Sequence, residues 1–334
     1  MVSGLILLNK KAGITSFQAL GEVKRALGTG KVGHTGTLDK FASGLLVVLV
    51  GGALKLSQWF SHCDKQYTGR IRFGIETDTL DPEGNIVGEA EVPPREKVER
   101  VLKQFTGNIM QEPPVFSAIH INGQRASSLA RSGNAPEMKK RHVEIHKIEL
   151  LSWQPPLADI FVHCSSGTYI RSLARDIALA AGSRAHLCAL TRTKVAYLSL
   201  DTAVEAAALA EGKNFLRPID RSVIAAIGIP WFEIEPPDAE KVIHGKPLAP
   251  LLEGKELFSP REDSRKEEGD FAAAVFAGEE LVAVVEKSAD GWKYGCVVAV
   301  THAHTQNFPL EPQPSFSKKW KNEGSPIDKT VKKW

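Results

Sequence analysis

The chain has 334 residues, of which 43% are hydrophobic and 24% charged, an ordinary globular balance with room for one large domain and a small one. Its formal charge is only +3, which excludes recognition of nucleic acid by bulk charge and leaves that case to local patches. Cys63, Cys164, Cys188 and Cys296 show neither metal-ligand nor disulfide spacing and read as reduced thiols of a cytoplasmic protein; residues 5–8 are too short for a signal core, and no run approaches a membrane span.

In chain order, residues 5–8 read as a strand and residues 9–13 as the turn after it, with Lys10 a solvated lysine on that turn. Thr15 with Gln18 makes a capping-box pattern, and Phe17, Leu20, Val23 and Leu27 recur at helical spacing before Gly28. Residues 33–44, GHTGTLDKFASG, form a polar loop in which Gly33, Gly36 and Gly44 are free to take positive φ. The loop runs straight into residues 45–50, a continuous apolar run of the kind that forms a strand covered on both faces. Asp39 is therefore a carboxylate held against apolar structure, and its partner sets its pKa and reactivity.

A helix is expected over about residues 53–60 and an alternating strand over 69–73. Residues 77–84 are acidic but lack the alternate-position oxygen ligands of a calcium loop, so they read as a turn. Residues 95–105 form an amphipathic helix with Val98, Val101, Leu102 and Phe105 on one face. From residue 121 to 147 the chain turns basic, through Arg125, Arg131, Lys139, Lys140, Arg141 and Lys147. Residues 143–153 and 160–164 alternate like paired strands. Ile170, Leu173 and Ile177 then begin a helix, which leaves Tyr169 and Arg171 at a strand-to-helix junction. Beyond Pro218 the composition shifts, and short runs at 244–248, 271–276, 281–285 and 297–300 read as a small β-rich unit with an exposed charged hairpin tip at 261–266. His302 and His304 lack a third ligand type nearby, so no metal centre is expected there.

The loop at Gly33 resembles the signature GHTGTLDPxAxGxL of the TruB family of pseudouridine synthases, with the seven residues from Gly33 to Asp39 identical. Other family motifs follow in order over residues 5–220: KPxGxTS at 10–16, TDTxDxxG at 77–84, PPxYSA at 113–118, GTYIR at 167–171 and AHLxxLRRT at 185–193. Lys11 and Lys40 stand where the family has proline, Phe116 where it has tyrosine, and Thr191 where it has arginine. The resemblance implies an α+β fold, a largely antiparallel mixed sheet flanked by helices, with a small C-terminal β-rich PUA-like domain. It implies a catalytic domain over 1–222 containing a basic RNA-gripping insertion at 123–147 and an RNA-binding PUA-like domain over 227–308; residues 311–334, rich in Pro, Ser and Lys, read from composition as a disordered basic tail. It also implies an isomerase that converts uridine 55 of the tRNA T-loop to pseudouridine, with the tRNA T-arm as partner, acting as a monomer in the cytoplasm without metal or cofactor.

By the same resemblance Asp39 is the catalytic residue and Arg171 its partner. Tyr67 stacks on the target uracil, Leu190 packs against that ring, and Tyr169 lies beside Arg171. Lys10 lies at the active site and His34 fills the space vacated by the flipped base. Arg131 and Arg141 fall in the insertion, where phosphate contact is their role. The chemistry breaks the bond from ribose to N1 and rejoins the same base through C5, with no redox or phosphoryl step. It needs a carboxylate beside the nucleotide and a cation that keeps it ionised, since an opposite charge at close range lowers an acid's pKa by about 1–3 units. It also needs a base out of its stack. Attack on the ribose carbon, attack on the uracil ring and proton removal from the sugar are all open to Asp39. The four departures keep two competing readings in view, a non-catalytic RNA-binding protein on the same scaffold and the same chemistry on a different RNA.

Overall fold

β1 (Gly4–Lys10) leads into α1 (Ser16–Leu27). Thr15 caps that helix: its hydroxyl accepts the Gln18 amide at 3.1 Å, and Gln18 Oε1 accepts the Thr15 amide at 2.8 Å, the reciprocal pair the sequence pattern predicts. β2 (Val32–His34), β3 (Ser43–Val50), the short α2 (Ser57–Ser61) and β4 (Lys65–Phe73) follow. The small pair β5 (Ile75–Thr77) and β6 (Ile86–Glu89) precedes α3 (Arg95–Leu102) and β7 (Gly107–Gln111). A two-stranded ribbon, β8 (His120–Ile121) with β9 (Gln124–Arg125), and α4 (Ala126–Arg131) lead to the long pair β10 (Arg141–Gln154) and β11 (Leu157–Cys164). Next come α5 (Ile170–Ala180), β12 (Ala185–Val195), β13 (Leu198–Ser199) and β14 (Val204–Glu205).

This computed structural model describes residues 3–211, 215–260 and 271–298. Among them, ten strands form one mixed sheet in the order β14-β1-β3-β12-β4-β11-β10-β7, with β2 on β3 and β13 on β12. Only β1 with β14 and β3 with β12 run parallel, so the sheet is largely antiparallel, as the resemblance implies. β3 lies inside it between β1 and β12 and is covered on both faces. Leu45, Val47 and Leu49 pack with Phe60, Ile224 and Phe276; Leu46, Val48 and Val50 pack with Ile6, Leu8 and Val23 on the other side. That double burial is why the run 45–50 shows no polar alternation.

A second sheet, β15 (Trp231–Ile234), β16 (Leu257–Phe258), β17 (Ala272–Ala277), β18 (Glu280–Ser288) and β19 (Gly291–Val297), has the order β16-β15-β17-β18-β19. It supplies the C-terminal β-rich unit expected. Phe276, Leu281 and Val284 share one apolar cluster with Leu5, Leu45 and Phe60, so the two sheets are joined through a common core.

Local expectations shift in four places. Residues 51–56 form a 3-10 turn and only Ser57–Ser61 is α-helical, because Gly51 and Gly52 open the segment. The run 244–248 is not a strand; His244 ends a short helix, Ala239–Ile243. Residues 141–147 of the basic segment are part of β10 in the large sheet. Lys10 ends β1 and is 1% exposed, where the turn-like composition predicted a solvated side chain. The hairpin tip at 261–266, His302, His304 and the tail at 311–334 lie outside the described residues. Among those described, no helix is long and apolar enough to cross a membrane.

Candidate active site

The loop between β2 and β3 carries Asp39 and is fastened from several sides. Ser16 Oγ accepts the Leu38 amide at 2.9 Å and donates to the Leu38 carbonyl at 3.0 Å. The Gly13 amide donates to the Lys40 carbonyl at 2.8 Å. Arg192, 3% exposed, donates from Nη2 to the Gly36 carbonyl at 3.0 Å and from Nε to the Leu45 carbonyl at 2.8 Å. Of the three loop glycines expected to be free for positive φ, Gly44 alone takes it, at φ 101°. A Cβ at Gly44 would stand 2.4 Å from the Arg192 carbonyl oxygen, so only glycine lets β3 pass this close to β12.

Arg171 arrives from the first turn of α5, two residues after Tyr169 at the helix N-cap. Gln111 fixes this junction, accepting the Tyr169 amide at 2.8 Å and donating to the Tyr169 carbonyl at 3.1 Å. The guanidinium is 4% exposed and lies with Nε 2.9 Å from Asp39 Oδ2 and Nη2 3.2 Å from Oδ1. Its remaining donors reach the Thr79 carbonyl at 2.7 Å, the Phe116 carbonyl at 3.0 Å and Asp81 Oδ2 at 3.3 Å. The predicted partnership of Asp39 and Arg171 is therefore present in the folded chain.

The electrostatic outcome differs from the simple expectation. Burial pushes the Asp39 carboxyl above the ordinary carboxylate range; Arg171 pulls it down, Asp81 pushes it up and Lys10 pulls it down. The cation is in place, but desolvation of the carboxylate outweighs it. Lys10 Nζ donates to the carbonyls of Ile14 at 2.6 Å, Ala42 at 2.7 Å and Lys11 at 3.0 Å. Burial lowers its pKa to about 8, Asp39 opposing and Arg192 assisting. His34 is half-buried with an unpartnered Nδ1, and burial followed by Arg192 lowers its pKa, so its imidazole is neutral at neutral pH.

Tyr67 and Leu190, 8% and 7% exposed, belong to one apolar cluster. Tyr67 faces Arg192 and Leu190 faces Gly69 across β4 and β12, which makes the two side chains diagonal neighbours on one face. Burial raises the Tyr67 pKa, opposed by the Arg192 charge and hydrogen bond. Arg141 lies over the Tyr169 ring, 4.8 Å from its centroid, and donates to the Gly167 carbonyl. That guanidinium braces the GTYIR junction from within the protein. Arg131 is exposed at the end of α4.

Three residues escaped the sequence reading. Asp81, 6% exposed, is a second carboxylate on Arg171 and also accepts from Thr79 Oγ1 at 2.6 Å and the Glu83 amide at 3.0 Å. Arg192 links the Asp39 loop, Tyr67 and His34. Lys65, 8% exposed, donates to the Ser61 carbonyl at 2.6 Å and to the Cys63 carbonyl. The available signals were the TDTxDxxG match for Asp81 and the AHLxxLRRT match for Arg192.

The departures from the motifs are accommodated locally. Lys40 pairs with Glu83 at 2.9 Å on the surface, Lys11 lies 3.7 Å from Glu205, and Thr191 Oγ1 sits 2.9 Å from Ser43 Oγ. Phe116 contributes its carbonyl, which any residue supplies.

The largely antiparallel mixed sheet has counterparts among proteins of known structure. A chain of a Cbf5-Nop10-Gar1 complex superposes over 89% of this chain and 84% of its own, with a TM-score of 0.65 at 24% identity. A chain of the archaeal box H/ACA sRNP Nop10-Cbf5 complex covers the same 89% with the same TM-score. These likenesses show the fold that this chain shares with them.

The model of the TruB family pseudouridylate synthase N-terminal domain matches residues 24–170. A "tRNA pseudouridine synthase B" of Borreliella burgdorferi (strain ZS7) is 48% identical over 203 residues, 60% of this chain and 72% of that protein. One of Azoarcus sp. (strain BH72) is 38% identical over 292 residues, 86% of this chain and 91% of its own. The chain belongs to the TruB family of pseudouridine synthases, which are isomerases.

Proposed function

We propose that this chain isomerises uridine 55 in the T-loop of tRNA to pseudouridine, with Asp39 as the catalytic carboxylate. The observation that carries the reading is the Asp39–Arg171 pair, formed between the signature loop, which departs from the family at Lys40, and the intact GTYIR motif. The names of the relatives supply the substrate class. Arg171 orients Asp39 and offsets its charge; Lys10 adds positive potential from behind the loop. The extruded uracil lies against Tyr67 and Leu190, and Tyr169 borders it beside Arg171. His34, neutral and with a free ring nitrogen, enters the space the base leaves in the T-loop. The Asp39 side chain is 37% exposed; a nucleotide seated over it excludes that water and strengthens its interactions with the reacting sugar and base.

Recognition beyond the pocket falls to the basic segment over 123–147, with Arg131 on phosphate, and to the C-terminal sheet as a PUA-like RNA contact within 227–308. Arg141 acts by holding Tyr169. The reaction proceeds without metal or cofactor, on a monomer, in the cytoplasm. Incubation with a tRNA transcript followed by pseudouridine mapping tests the reading. It expects modification at uridine 55 alone; modification at another position, or none, contradicts it.

A further inference from the structure

Asp64, His146 and His163 converge on the sheet from three separate stretches of chain. Their ligand atoms all lie within 4.8 Å of one another. His146 Nε2 is 3.2 Å from Asp64 Oδ2, and His163 Nε2 is 3.9 Å from the same oxygen. The rings of His146 and His163 are 4.7 Å apart between centroids. Ligands held at about 2.0–2.2 Å around one tetrahedral ion are themselves roughly 3.4 Å apart, so these spacings need only small side-chain rotations to close on a cation.

Two further features aim the histidines. The pairing of β10 with β11 shifts register between Ile145 and Lys147, which makes His146 the extra residue of a β-bulge. Such a bulge re-aims a side chain and recurs beside functional sites. Behind it, His146 Nδ1 lies 3.4 Å from Glu144 Oε1. A carboxylate on one ring nitrogen fixes the tautomer and turns the other nitrogen toward a metal. Asp64 is anchored by its carbonyl, which accepts the Ala196 amide at 2.8 Å.

We propose that Asp64, His146 and His163 bind a divalent first-row transition cation of the Zn2+ class, with Glu144 as the outer carboxylate that orients His146. Two imidazoles and one carboxylate suit such an ion and not Mg2+, which takes oxygen ligands. The three side chains are 45%, 28% and 33% exposed, so the ion enters from solvent and keeps water in its remaining positions. His163 pairs with Gln66 across β11 and β4, on the face opposite Tyr67. The site is thus separate from the uridine pocket, and the ion clips the start of β4 to β10 and β11.

The test is calorimetric titration of the full-length chain with ZnCl2 in a large excess of Mg2+, in a His302→Ala, His304→Ala background that removes the other close histidine pair. One zinc per chain is expected. Asp64→Asn and His146→Gln each weaken it by about tenfold or more, and Glu144→Gln by about tenfold. An absence of zinc binding, or isotherms unchanged by Asp64→Asn and His146→Gln, overturns the proposal and leaves the cluster as ion pairs only. Should those variants fail to fold, zinc-edge absorption on the parent decides: two imidazole ligands support the site, and thiolate ligands overturn it.

Discussion

Arg171 meets Asp39 through two nitrogens, Nε at 2.9 Å and Nη2 at 3.2 Å, across a sequence separation of 132 residues. The same guanidinium also holds Asp81 and two backbone carbonyls. One side chain thus ties the Asp39 loop, the 77–84 turn and the 113–118 segment to the start of α5.

Arg171→Ala strands two carboxylates in a site where the guanidinium is 4% exposed. Removing one partner of a buried ion pair costs about 3–5 kcal/mol, so the urea midpoint should fall accordingly and turnover should be lost. Arg171→Lys keeps the charge but loses the fork, and should recover part of the stability and little of the activity. A stable, active Arg171→Ala enzyme would remove the pairing from the account.

The pH profile carries two signatures. In the proposed reaction Asp39 acts ionised, and burial raises its carboxyl, so the acid limb of kcat/KM should lie above the ordinary carboxylate range. Lys10, lowered to about 8, should set an alkaline limb near that pH as its charge beside Asp39 disappears. Lys10→Met should be weakly active and show no fall near pH 8.

Stability shows the opposite slope. The folded chain releases the Lys10 proton near pH 8, the unfolded chain near the ordinary lysine value of 10.5. Between these values the unfolded state binds more protons, so the contribution to stability rises with pH. Lys65, also lowered to about 8 by burial, adds a rise of the same sign. Urea unfolding at pH 7.5 and 9.5 should therefore show a smaller gain in Lys10→Met than in the parent; an equal gain contradicts the buried, charged Lys10.

Gly44→Ala places a Cβ 2.4 Å from the Arg192 carbonyl oxygen at φ 101°. Strain of this kind costs about 1–3 kcal/mol before the contact itself is counted, and it pushes on the residue that holds the Asp39 loop. Loss of both melting temperature and activity is expected. Gly36→Ala, whose nearest new neighbour is 3.5 Å away, should differ little from the parent.

Lys40→Pro restores the family residue. The change removes one exposed pair with Glu83, worth about 0–1 kcal/mol, and stiffens the unfolded chain by a similar amount. Stability within about 1 kcal/mol of the parent and undiminished turnover are expected from denaturation and rate measurements.

Much of this was legible in the chain itself. The capping box at Thr15, the apolar run of β3 and the helical spacing after Tyr169 each follow from a local rule. Asp39 is marked by seven consecutive signature residues and Arg171 by an intact GTYIR, and the fold by the family those motifs resemble. What stayed hidden is charge placed inside. Lys10 sits among turn-like residues, so composition assigned it to solvent, yet three carbonyls draw its ammonium inward. Asp81 lies in a segment that reads as a turn and Arg192 within a motif match, and neither stands out because Arg171 and the Asp39 loop, which they hold, come from distant segments. The cluster of Asp64, His146 and His163 is assembled by strand pairing and a bulge, neither of which leaves a spacing in the sequence.

The most direct measurement is tritium release from tRNA carrying C5-labelled uridine, run with the parent and with Asp39→Asn beside a tRNA-binding assay. The account predicts release slowed on the order of 10⁴-fold, as for loss of a principal catalytic side chain, with tRNA affinity unchanged. An Asp39→Asn chain that releases tritium near the parent rate would contradict it.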